Sequence, residues 1–536
     1  MFRKPRKKKP LNFRRVKNWV LTFLALTIIF FAITFTLARI AIKTVPDYIV
    51  DLQTVLSEQS GFDVRIGVLD AEINWLVPRL NLIDVNVFDP QGTRHVLHLD
   101  TVDFSLDWFA SLRTHSLVIG EISLSGLNAE LTVNQQSQLL FQDYVINENI
   151  DRVQDAAMAN GEAVFQLSRH MRYLMNNLDF RIVDSQLRFT DLRRAHKPKV
   201  FKHFNLHLMN QGDQHLMELR AELPQTFGRY LHLVAQAEGD LFDYKNLEGR
   251  LQLSLENIVA AAWLDEYWSE LGLAANADLS ADIWLAWQGT QLNDLYSRFS
   301  LQDAALHYLD SEVRSWQMES LAGELWWQNT SDGWSLNVRD LQAIRGQEVW
   351  PKSTAFDLQY KASQRAVSLN ADFMRVESMV YVADMLNSAA IVENSWLNLL
   401  ADYQPSGDVK YLQLTMQLDN ADSLQFNADF DRLSFKLPQF EPSAVDNLRG
   451  KIEYQNNNAK LDLHTSESRL HFRRLFRDSL QITQLTGEVD LLRQANGWKI
   501  SSEHLRMHMP HIESQSRFVI SLPENAPAFM DLTMRL

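Results

Sequence analysis

The segment at residues 101–108 reads TVDFSLDW, and its polar and apolar side chains alternate at every position. Residues 121–125 and 129–133 alternate in the same way. A period of two is typical of a β-strand that has one apolar and one polar face. The same period recurs through most of the chain after residue 61. The sequence therefore predicts a mainly β protein built from one-sided strands.

The composition of the 536 residues excludes several classes of protein. With 19 glycines and 14 prolines, the chain is neither collagen-like nor dominated by linkers. Hydrophobic residues make up 46% and charged residues 22%, which excludes wholesale disorder. The sequence has no cysteine, so a disulfide framework, an iron–sulfur cluster and a cysteine nucleophile are all excluded.

Charge is unevenly distributed along the chain. Residues 1–43 carry eleven lysines and arginines and no acidic residue, whereas the whole chain has a net charge of −14. The remainder is therefore strongly acidic. An acidic body lacks the cationic surface that contacts with nucleic-acid phosphates require, so we expect no nucleic-acid partner.

The N-terminal region has the pattern of a membrane anchor. Residues 19–38 are uncharged, and twenty helical residues span about 30 Å, the thickness of the hydrocarbon core of a bilayer. We predict a transmembrane helix over residues 19–42. Its apolar anchor residues are Trp19, Leu21, Phe23, Leu24, Leu26, Ile28, Ile29, Phe30, Phe31, Ile33, Phe35 and Leu37. A cleaved signal peptide is the alternative, but its apolar core is only about 7–15 residues long.

A basic cluster precedes this helix and predicts its orientation. The members of the cluster are Arg3, Lys4, Arg6, Lys7, Lys8, Lys9, Arg14, Arg15 and Lys17. By the positive-inside rule, we expect residues 1–18 to stay in the cytoplasm and residues 43–536 to be exported. The chain would then be a single-pass membrane protein with one large extracytoplasmic region.

A few helices are predicted to interrupt the strands. Helical spacing of apolar residues or helical composition is found at residues 46–60, 151–177, 257–271 and 374–401. Gly61 is expected to end the first of these helices.

A short pattern recurs four times: an apolar residue, any residue, glycine, a charged residue and a second apolar residue. Its glycines are Gly249, Gly323, Gly450 and Gly487. A polar turn and a second strand follow the last three copies. Residues 184–189 and 303–308 share another pattern, which starts with aspartate. The spacing is too irregular for a strict solenoid, so we predict a meander built from one type of hairpin.

The apolar face of these strands has to be covered. A second sheet would cover it in a sandwich. Alternatively, an elongated, twisted antiparallel sheet curls into a groove whose apolar face is filled by lipid chains. Two acyl chains hold about 32 methylene groups, and exposing them to water costs on the order of 25 kcal/mol. About 25 strands side by side would give a track of about 120 Å.

We predict that phospholipid acyl chains contact one face of the strands in this groove. The predicted groove residues are Val102, Phe104, Leu106, Ile122, Leu124, Leu131 and Val133. Asp103, Ser105 and Ser123 are expected on the opposite face. A single bulge would reverse such an assignment along the rest of a strand.

Several segments, taken in their order along the chain, resemble the AsmA-like family of Gram-negative envelope proteins. They are residues 56–67, 119–126, 347–351, 404–407, 437–438 and 448–450. The resemblance implies a twisted β-groove in the periplasm, anchored in the bacterial inner membrane by the single helix. It also implies that phospholipid moves toward the outer membrane and supports its permeability barrier. Members similar to this chain are longer, so we expect an N-terminal portion or a shortened homologue.

Signatures of enzymes are missing from the sequence: there is no P-loop, no G-x-S-x-G, no H-E-x-x-H and no dinucleotide fingerprint. We therefore expect neither catalytic residues nor a cofactor. His203 with His207, and residues 507–511, are the best metal candidates. Strand alternation explains them better, because ligands on opposite faces cannot share an ion.

Two further alternatives concern acidic and aromatic residues. The acidic pair Asp265 and Glu266 is explained by a solvated face. Trp326, Trp327 and Trp334 are candidates for a sugar platform, but strand packing is the preferred interpretation.

A different class of function also fits the sequence. In this alternative, the chain is a membrane-tethered scaffold or assembly factor whose strands close into sandwiches and bind envelope proteins without carrying lipid. A periplasmic hydrolase is a third, remote alternative. The shape of the apolar face separates the first two hypotheses, because only a conducting groove needs that face to stay open.

Overall fold

The structure is a computed structural model. It describes residues 13–74, 77–106, 111, 119–142, 144–145, 178–193, 198–240, 245–263, 269, 273–308, 311–378, 403–437, 442–472, 477–523, 527 and 529–535. The predicted helix at 151–177 lies outside these residues, and so do most of the helix predicted at 374–401 and the basic residues 3–9. The chain divides into two compact units. Unit 1 comprises Met1–Pro224 and Val234–Phe242, and unit 2 comprises Gln225–Leu233 and Asp243–Leu536.

Two helices joined by a 3-10 turn open the described chain. Helix α1 covers Phe13–Ala41, the turn covers Ile42–Tyr48, and helix α2 covers Ile49–Ser60. Side chains of α1 such as Trp19 are exposed. In the described part of the chain, no helix combines the length and the apolar character needed to cross a bilayer.

Helix α2 lies within the range predicted to be helical and ends where the sequence indicated. Gly61 adopts a left-handed conformation with a φ of 74°, and its N–H donates to the carbonyl oxygen of Ser57. A residue with a side chain is strained at this φ, which explains why glycine stands there.

Unit 1 is a mostly antiparallel sheet in which one strand pairs in parallel with two others. Its strands are β1 (Asp63–Asn74), β2 (Val77–Phe88), β3 (His95–Leu106), β4 (Ile119–Ser125), β5 (Asn128–Val133), β6 (Leu139–Phe141), β7 (Tyr144–Val145), β8 (Asp179–Asp191), β9 (Lys199–Gln211) and β10 (Gln214–Glu222). Strands β1 to β4 pair in chain order. Strand β8 runs parallel to both β4 and β5, and β9 and β10 follow antiparallel. A further strand, β11 (Tyr230–Glu238), contributes residues to each unit.

Unit 2 is an antiparallel sheet in which successive strands pair in chain order. Its strands are β12 (Glu248–Val259), β13 (Leu273–Gln288), β14 (Gln291–Tyr308), β15 (Ser311–Thr330), β16 (Gly333–Arg345), β17 (Glu348–Val349), β18 (Thr354–Lys361), β19 (Ala366–Arg375), β20 (Ser406–Gln417), β21 (Asn420–Lys436), β22 (Ala444–Gln455), β23 (Asn458–His471), β24 (Leu480–Gln494), β25 (Gly497–Met509), β26 (Ile512–Pro523) and β27 (Phe529–Arg535). Strand β17 pairs only with the end of β16, which also pairs with β18. The prediction of a mainly β, antiparallel architecture is confirmed.

Two ends of the predicted helices are strand instead. Residues 257–259 belong to β12, where Ile258 pairs with Leu279 of β13. Met374 and Arg375 belong to β19 and pair with β20. In both cases the long-range ladder outweighs a local helical composition. Helical turns follow directly, at residues 260–263 and 376–378.

The last three copies of the glycine pattern precede hairpins, but they do not open strands. Gly323, Gly450 and Gly487 lie inside the first strand of the pairs β15–β16, β22–β23 and β24–β25. At Gly450 a Cβ atom would lie 2.2 Å from the carbonyl oxygen of Asp462 and 2.8 Å from the ring of Phe430. Glycine is needed there because the neighbouring strand and the ring approach the backbone too closely for a side chain.

The first three strands each reverse their side-chain alternation once. The buried residues on either side of the reversal are Ile66 and Leu69 on β1, Leu82 and Val85 on β2, and Leu99 and Val102 on β3. In a regular strand, residues three apart face opposite ways, yet all six belong to one hydrophobic cluster. Asp84 lies at the reversal on β2 and has a φ of 57°. We call such a point an alternation break.

Alternation breaks recur in unit 2. Non-glycine residues with a positive φ inside its strands are Asn257, Asp303, Asp340, Tyr411, Arg432, Asn447 and Glu467. Each is followed by a buried or half-buried side chain, such as Ala304 after Asp303. Aspartate and asparagine tolerate this conformation better than most residues do. The breaks keep apolar side chains on one face along the full length of a strand, and they explain the aspartate-initiated pattern at residues 184–189 and 303–308.

Candidate functional site

The predicted groove residues of β3 and β4 lie side by side in unit 1. Val102 pairs with Leu124, and Phe104 pairs with Ile122. Val102 is 5% exposed, while Phe104 and Leu124 are half-buried against the same cluster. The structure therefore places these four residues on one apolar face.

Of the remaining predicted groove residues, Leu131 and Val133 lie at the margin of this face. Leu131 and Val133 are half-buried on β5, where Leu131 pairs with Phe189 of the parallel strand β8. Leu106 ends β3 opposite Ile119, after a shift in register. The position of Trp108 lies outside the described residues.

The N-terminal helical segment covers the start of the apolar face in unit 1. Val45, Ile49, Leu52 and Leu56 pack against the cluster that contains Val102. Part of the predicted groove is therefore filled by the protein itself. This packing could not be predicted from the sequence, because the helical spacing of apolar residues does not show which surface the helix contacts.

The opposite face of unit 1 carries charges that pair across strands. Glu121 lies 3.4 Å from Arg79 and 3.3 Å from Arg181. Asp103 pairs with Ser123 in register, and partial burial raises the pKa of the Asp103 carboxyl, with Glu121 adding to the effect and Arg79 opposing it. Asp103 and Ser123 thus lie on the polar face, as expected. Ser105 is on this face too but is only 9% exposed.

Unit 2 has an apolar face of its own, which the sequence analysis did not single out. Three hydrophobic clusters lie on it. The first is centred on Ala277, Ala304, Met318 and Ala343, the second on Ala371, Leu412 and Ala428, and the third on Phe430, Val445, Leu448, Leu463, Ile482, Leu485 and Val489. The signal was present in the alternation of these strands, but the alternation breaks obscured it.

These three clusters adjoin one another. The ring of Trp350 packs against the first cluster and lies 6.4 Å from that of Phe356, which belongs to the second. Ile452 packs against both the second and the third cluster. Ala428 and Phe430 are two residues apart on β21 and join the same two clusters. The apolar face of unit 2 is therefore continuous from β13 to β26.

Most side chains of this face are only half-buried. Leu414, Phe426 and Leu461 are examples. In the described part of unit 2, helical residues form only short turns that follow the ends of strands. Longer helices are absent from the described residues of this unit. Among the described residues, the sheet thus presents a long apolar surface without a second layer.

The three tryptophans considered for a sugar platform are divided between the two faces. Trp327 and Trp334 lie on the apolar face, where Trp327 pairs with Leu336. Trp326 lies on the polar face in a stack with Tyr296 and Trp284, and the ring centroids are 4.6 and 5.2 Å apart. Because these rings stack on one another, the ring face of Tyr296 is not open to a sugar. The structure gives a cross-strand ladder in place of a platform.

The histidines considered as metal ligands have carboxylate partners. His203 Nδ1 lies 2.6 Å from Asp184, and His207 Nε2 lies 2.9 Å from Asp179. His203 has a φ of 45° and so lies at an alternation break, not in the regular run with His207. Met507 and Met509 pack into the third cluster, while His508 lies 3.1 Å from Glu513. Within the described ranges, no three metal-binding side chains converge.

A buried ion cluster lies at one end of β19, β20 and β21. Asp408 is 4% exposed, accepts a hydrogen bond from Arg375 Nε at 3.0 Å and also pairs with Arg432. Arg375 reaches Glu348 as well, at 3.1 Å. Paired in this way, the buried carboxylate of Asp408 holds neighbouring strands together and has no feature of a reactive group.

Comparison with known proteins identifies a family and one similar protein. The family model described as YhdP protein matches residues 8–536. The chain is similar to the intermembrane phospholipid transporter YhdP of Escherichia coli (strain K12), with 20% identity over 333 residues. The alignment covers 59% of this chain and 25% of that protein, so the chain spans about a quarter of the length of this relative. No solved structure matches. Because the family model covers nearly all of the chain, the resemblance inferred from the sequence is confirmed, and the chain belongs to the YhdP family.

Proposed function

We propose that this protein conducts phospholipid, with the acyl chains lying on the apolar face of its β-sheet. One observation carries the proposal: the apolar face of unit 2 is continuous over many strands and stays half-exposed. Membership of the YhdP family supports it, and so does the similarity to the phospholipid transporter of E. coli. Conduction is passive in this proposal, because the sequence has no nucleotide-binding motif.

The dimensions of unit 2 suit a lipid track. Fifteen successive strands, β12 to β16 and β18 to β27, at a spacing of about 4.8 Å extend over about 70 Å. A track of this kind shields acyl chains from water, which removes a cost of about 0.8 kcal/mol for each methylene group. Alternation breaks occur in several of these strands, and we propose that they let the sheet curve around its apolar face as a groove.

We also propose the setting in which the track works. Helix α1 would anchor the protein in the bacterial inner membrane, with the basic N-terminal residues in the cytoplasm and the β-sheet in the periplasm. The uncharged stretch at residues 19–38 and its basic flank support this topology. Phospholipid would move toward the outer membrane and maintain its permeability barrier, with the outer membrane or other envelope proteins as further partners.

The test of this proposal uses adjacent residues on opposite faces. Leu414 is half-buried on the apolar face of β20, whereas its neighbour Gln413 is exposed. A photocrosslinking amino acid placed at Leu414 should capture phospholipid in membranes, and one placed at Gln413 should not. In unit 1, Phe104 and Asp103 form the corresponding pair. Mass spectrometry of the adducts identifies the captured molecule.

Two outcomes would overturn the proposal. Equal lipid capture on both faces would show that the apolar face is not a track. Capture of proteins at Leu414 and Phe104, with no lipid, would favour the membrane-tethered scaffold that binds envelope proteins.

A further inference from the structure

The two ends of the strands in unit 2 differ in how they are connected. At one end, which we call the hairpin end, most links contain two to four residues: 289–290, 331–332, 362–365, 418–419, 456–457 and 495–496. At the other end, the insertion end, most links are longer, such as 260–272 and 376–405. A lipid lying across the strands would therefore meet two different margins of the sheet.

Large aromatic residues line the hairpin end. They are Trp287, Trp327, Trp334, Tyr360, Tyr454 and Trp498. Five of them occupy the second or second-to-last position of their strand, and Trp327 lies three residues before the end of β15. We call this set the aromatic belt.

The strand pairing places the aromatic belt on the apolar face. Trp334 pairs with Tyr360, and their ring centroids are 6.0 Å apart. Tyr454 stacks on Phe426 of the second cluster at 5.1 Å. Trp498 is two residues from Ile500, which packs against the third cluster. The belt therefore borders the continuous apolar surface along its length.

The polar groups of the belt tryptophans are not used by the protein. Among the described residues, the indole N–H groups of Trp287, Trp327, Trp334 and Trp498 have no hydrogen-bond acceptor, and all four rings are half-buried. At the insertion end, Trp263 donates to the carbonyl oxygen of Phe227 at 2.9 Å. The hairpin end offers a row of indole N–H donors, without acceptors among the described residues, beside hydrocarbon-like side chains.

Tryptophan and tyrosine favour the boundary between hydrocarbon and water, because one part of each ring is apolar and another part is polar. A charged side chain lies at the same level, since Arg493 is placed over the Trp498 ring at 5.3 Å. Its guanidinium group suits the phosphate of a phospholipid, and the indole N–H groups suit the ester carbonyls.

We propose that phospholipids lie on unit 2 with their glycerol and phosphate groups at the aromatic belt and their acyl chains directed toward the insertion end. This inference rests on the proposed function, since it assigns an orientation to the conducted lipid. The head groups would follow one margin of the sheet only. The insertion end would be in contact with the ends of the acyl chains.

Two photoactivatable phospholipids test this orientation on the full chain in native membranes. One carries a diazirine in the head group, and the other carries it at the end of an acyl chain. The head-group probe should label residues at the hairpin end, such as 329–334 and 454–458. The acyl-chain probe should label half-buried residues at the insertion end, such as Ala260 and Trp350. Labelled peptides are mapped by mass spectrometry.

A pair of variants isolates the contribution of the belt. Trp327→Phe removes an indole N–H but keeps an aromatic ring, and should lower head-group labelling of residues 329–334 by about fivefold, the effect of one hydrogen bond. Trp326→Phe changes the neighbouring residue on the polar face and should leave labelling unchanged. The amount of bound lipid should be equal in both variants.

The outcomes separate this inference from the proposed function. Head-group labelling at both ends, or mainly at the insertion end, would overturn the orientation while leaving conduction intact. If neither probe preferred the apolar face to the polar face, the proposed function itself would fail. An unchanged pattern in Trp327→Phe would contradict the role given to its indole group.

Discussion

The backbone N–H of Val64 on β1 donates a hydrogen bond of 2.9 Å to the hydroxyl of Ser57 on α2. Gln53 Nε2, one turn earlier on the helix, donates to the carbonyl oxygen of Ile66 at 3.1 Å. Helix α2 thus satisfies backbone groups on the open edge of the first strand. Unpaired edges of this kind invite association with other strands, so the helix also protects the sheet.

Substitution of Ser57 should therefore weaken the first strand. We expect Ser57→Ala to lower the free energy of unfolding by about 1–2 kcal/mol, because the Val64 N–H loses its acceptor. Thermal unfolding of the purified protein measures the effect. Thr54→Ala is the control, since the Thr54 hydroxyl is exposed and bonds only within its own helix, to the Val50 carbonyl oxygen. Equal effects of the two variants would contradict the edge-capping role.

The alternation break on β14 makes a prediction about backbone conformation. Asp303 has a φ of 49° and is exposed. Asp303→Val should destabilise the protein by about 1–2 kcal/mol, because a β-branched residue is strained in the left-handed region. Asp303→Gly should be neutral or slightly stabilising at the same position. If valine and glycine were equally tolerated in chemical denaturation, the break would not depend on the conformation of this residue.

The buried ion cluster predicts a large effect at Asp408. Asp408→Ala leaves Arg375 buried without its main partner and should cost about 3–5 kcal/mol. The exposed pair of Asp419 and Arg365, at 3.0 Å, provides the control. Asp419→Ala should change the free energy of unfolding by less than about 1 kcal/mol. Urea unfolding curves of the two variants compare them directly.

His203 gives a prediction about pH. Its hydrogen bond to Asp184, together with the nearby charge of Glu222, raises the pKa of the imidazole above 6.5. Because the folded-state pKa is the higher one, the stabilisation is fully present below pH 6.5 and is lost as the pH rises through the folded-state pKa. The melting temperature of the wild type, relative to that of His203→Asn, should be higher at pH 5.5 than at pH 8.5. A difference that grew with pH would contradict the assignment.

Much of the local architecture could be predicted from the sequence, because strand alternation is a local property. The faces of Val102, Phe104 and Ile122 followed from their own neighbours in the chain. The turn at Gly61 and the hairpins after Gly323 were also predictable, since glycine has a steric role that the sequence shows directly.

Other features depend on residues that are distant in the chain. The alternation breaks at Asp303 and Tyr411 make apolar residues three positions apart share a face, and only the paired strands show that they do. The packing of Leu52 on the first strands required the position of α2. The apolar face of unit 2 was missed for the same reason: its continuity depends on links such as Trp350 and Ile452, which join clusters formed by different strands.

The alternation breaks have a consequence for how such a protein can change in size. A hairpin that carries its own break keeps its apolar side chains correctly aimed wherever it is placed in the row. Duplication of one hairpin would thus lengthen the sheet by about 10 Å without redesign of its neighbours. Loss of a single residue at a break would instead move the side chains of half a strand to the opposite face of the sheet. We therefore expect related proteins to differ by whole hairpins more often than by small deletions within strands.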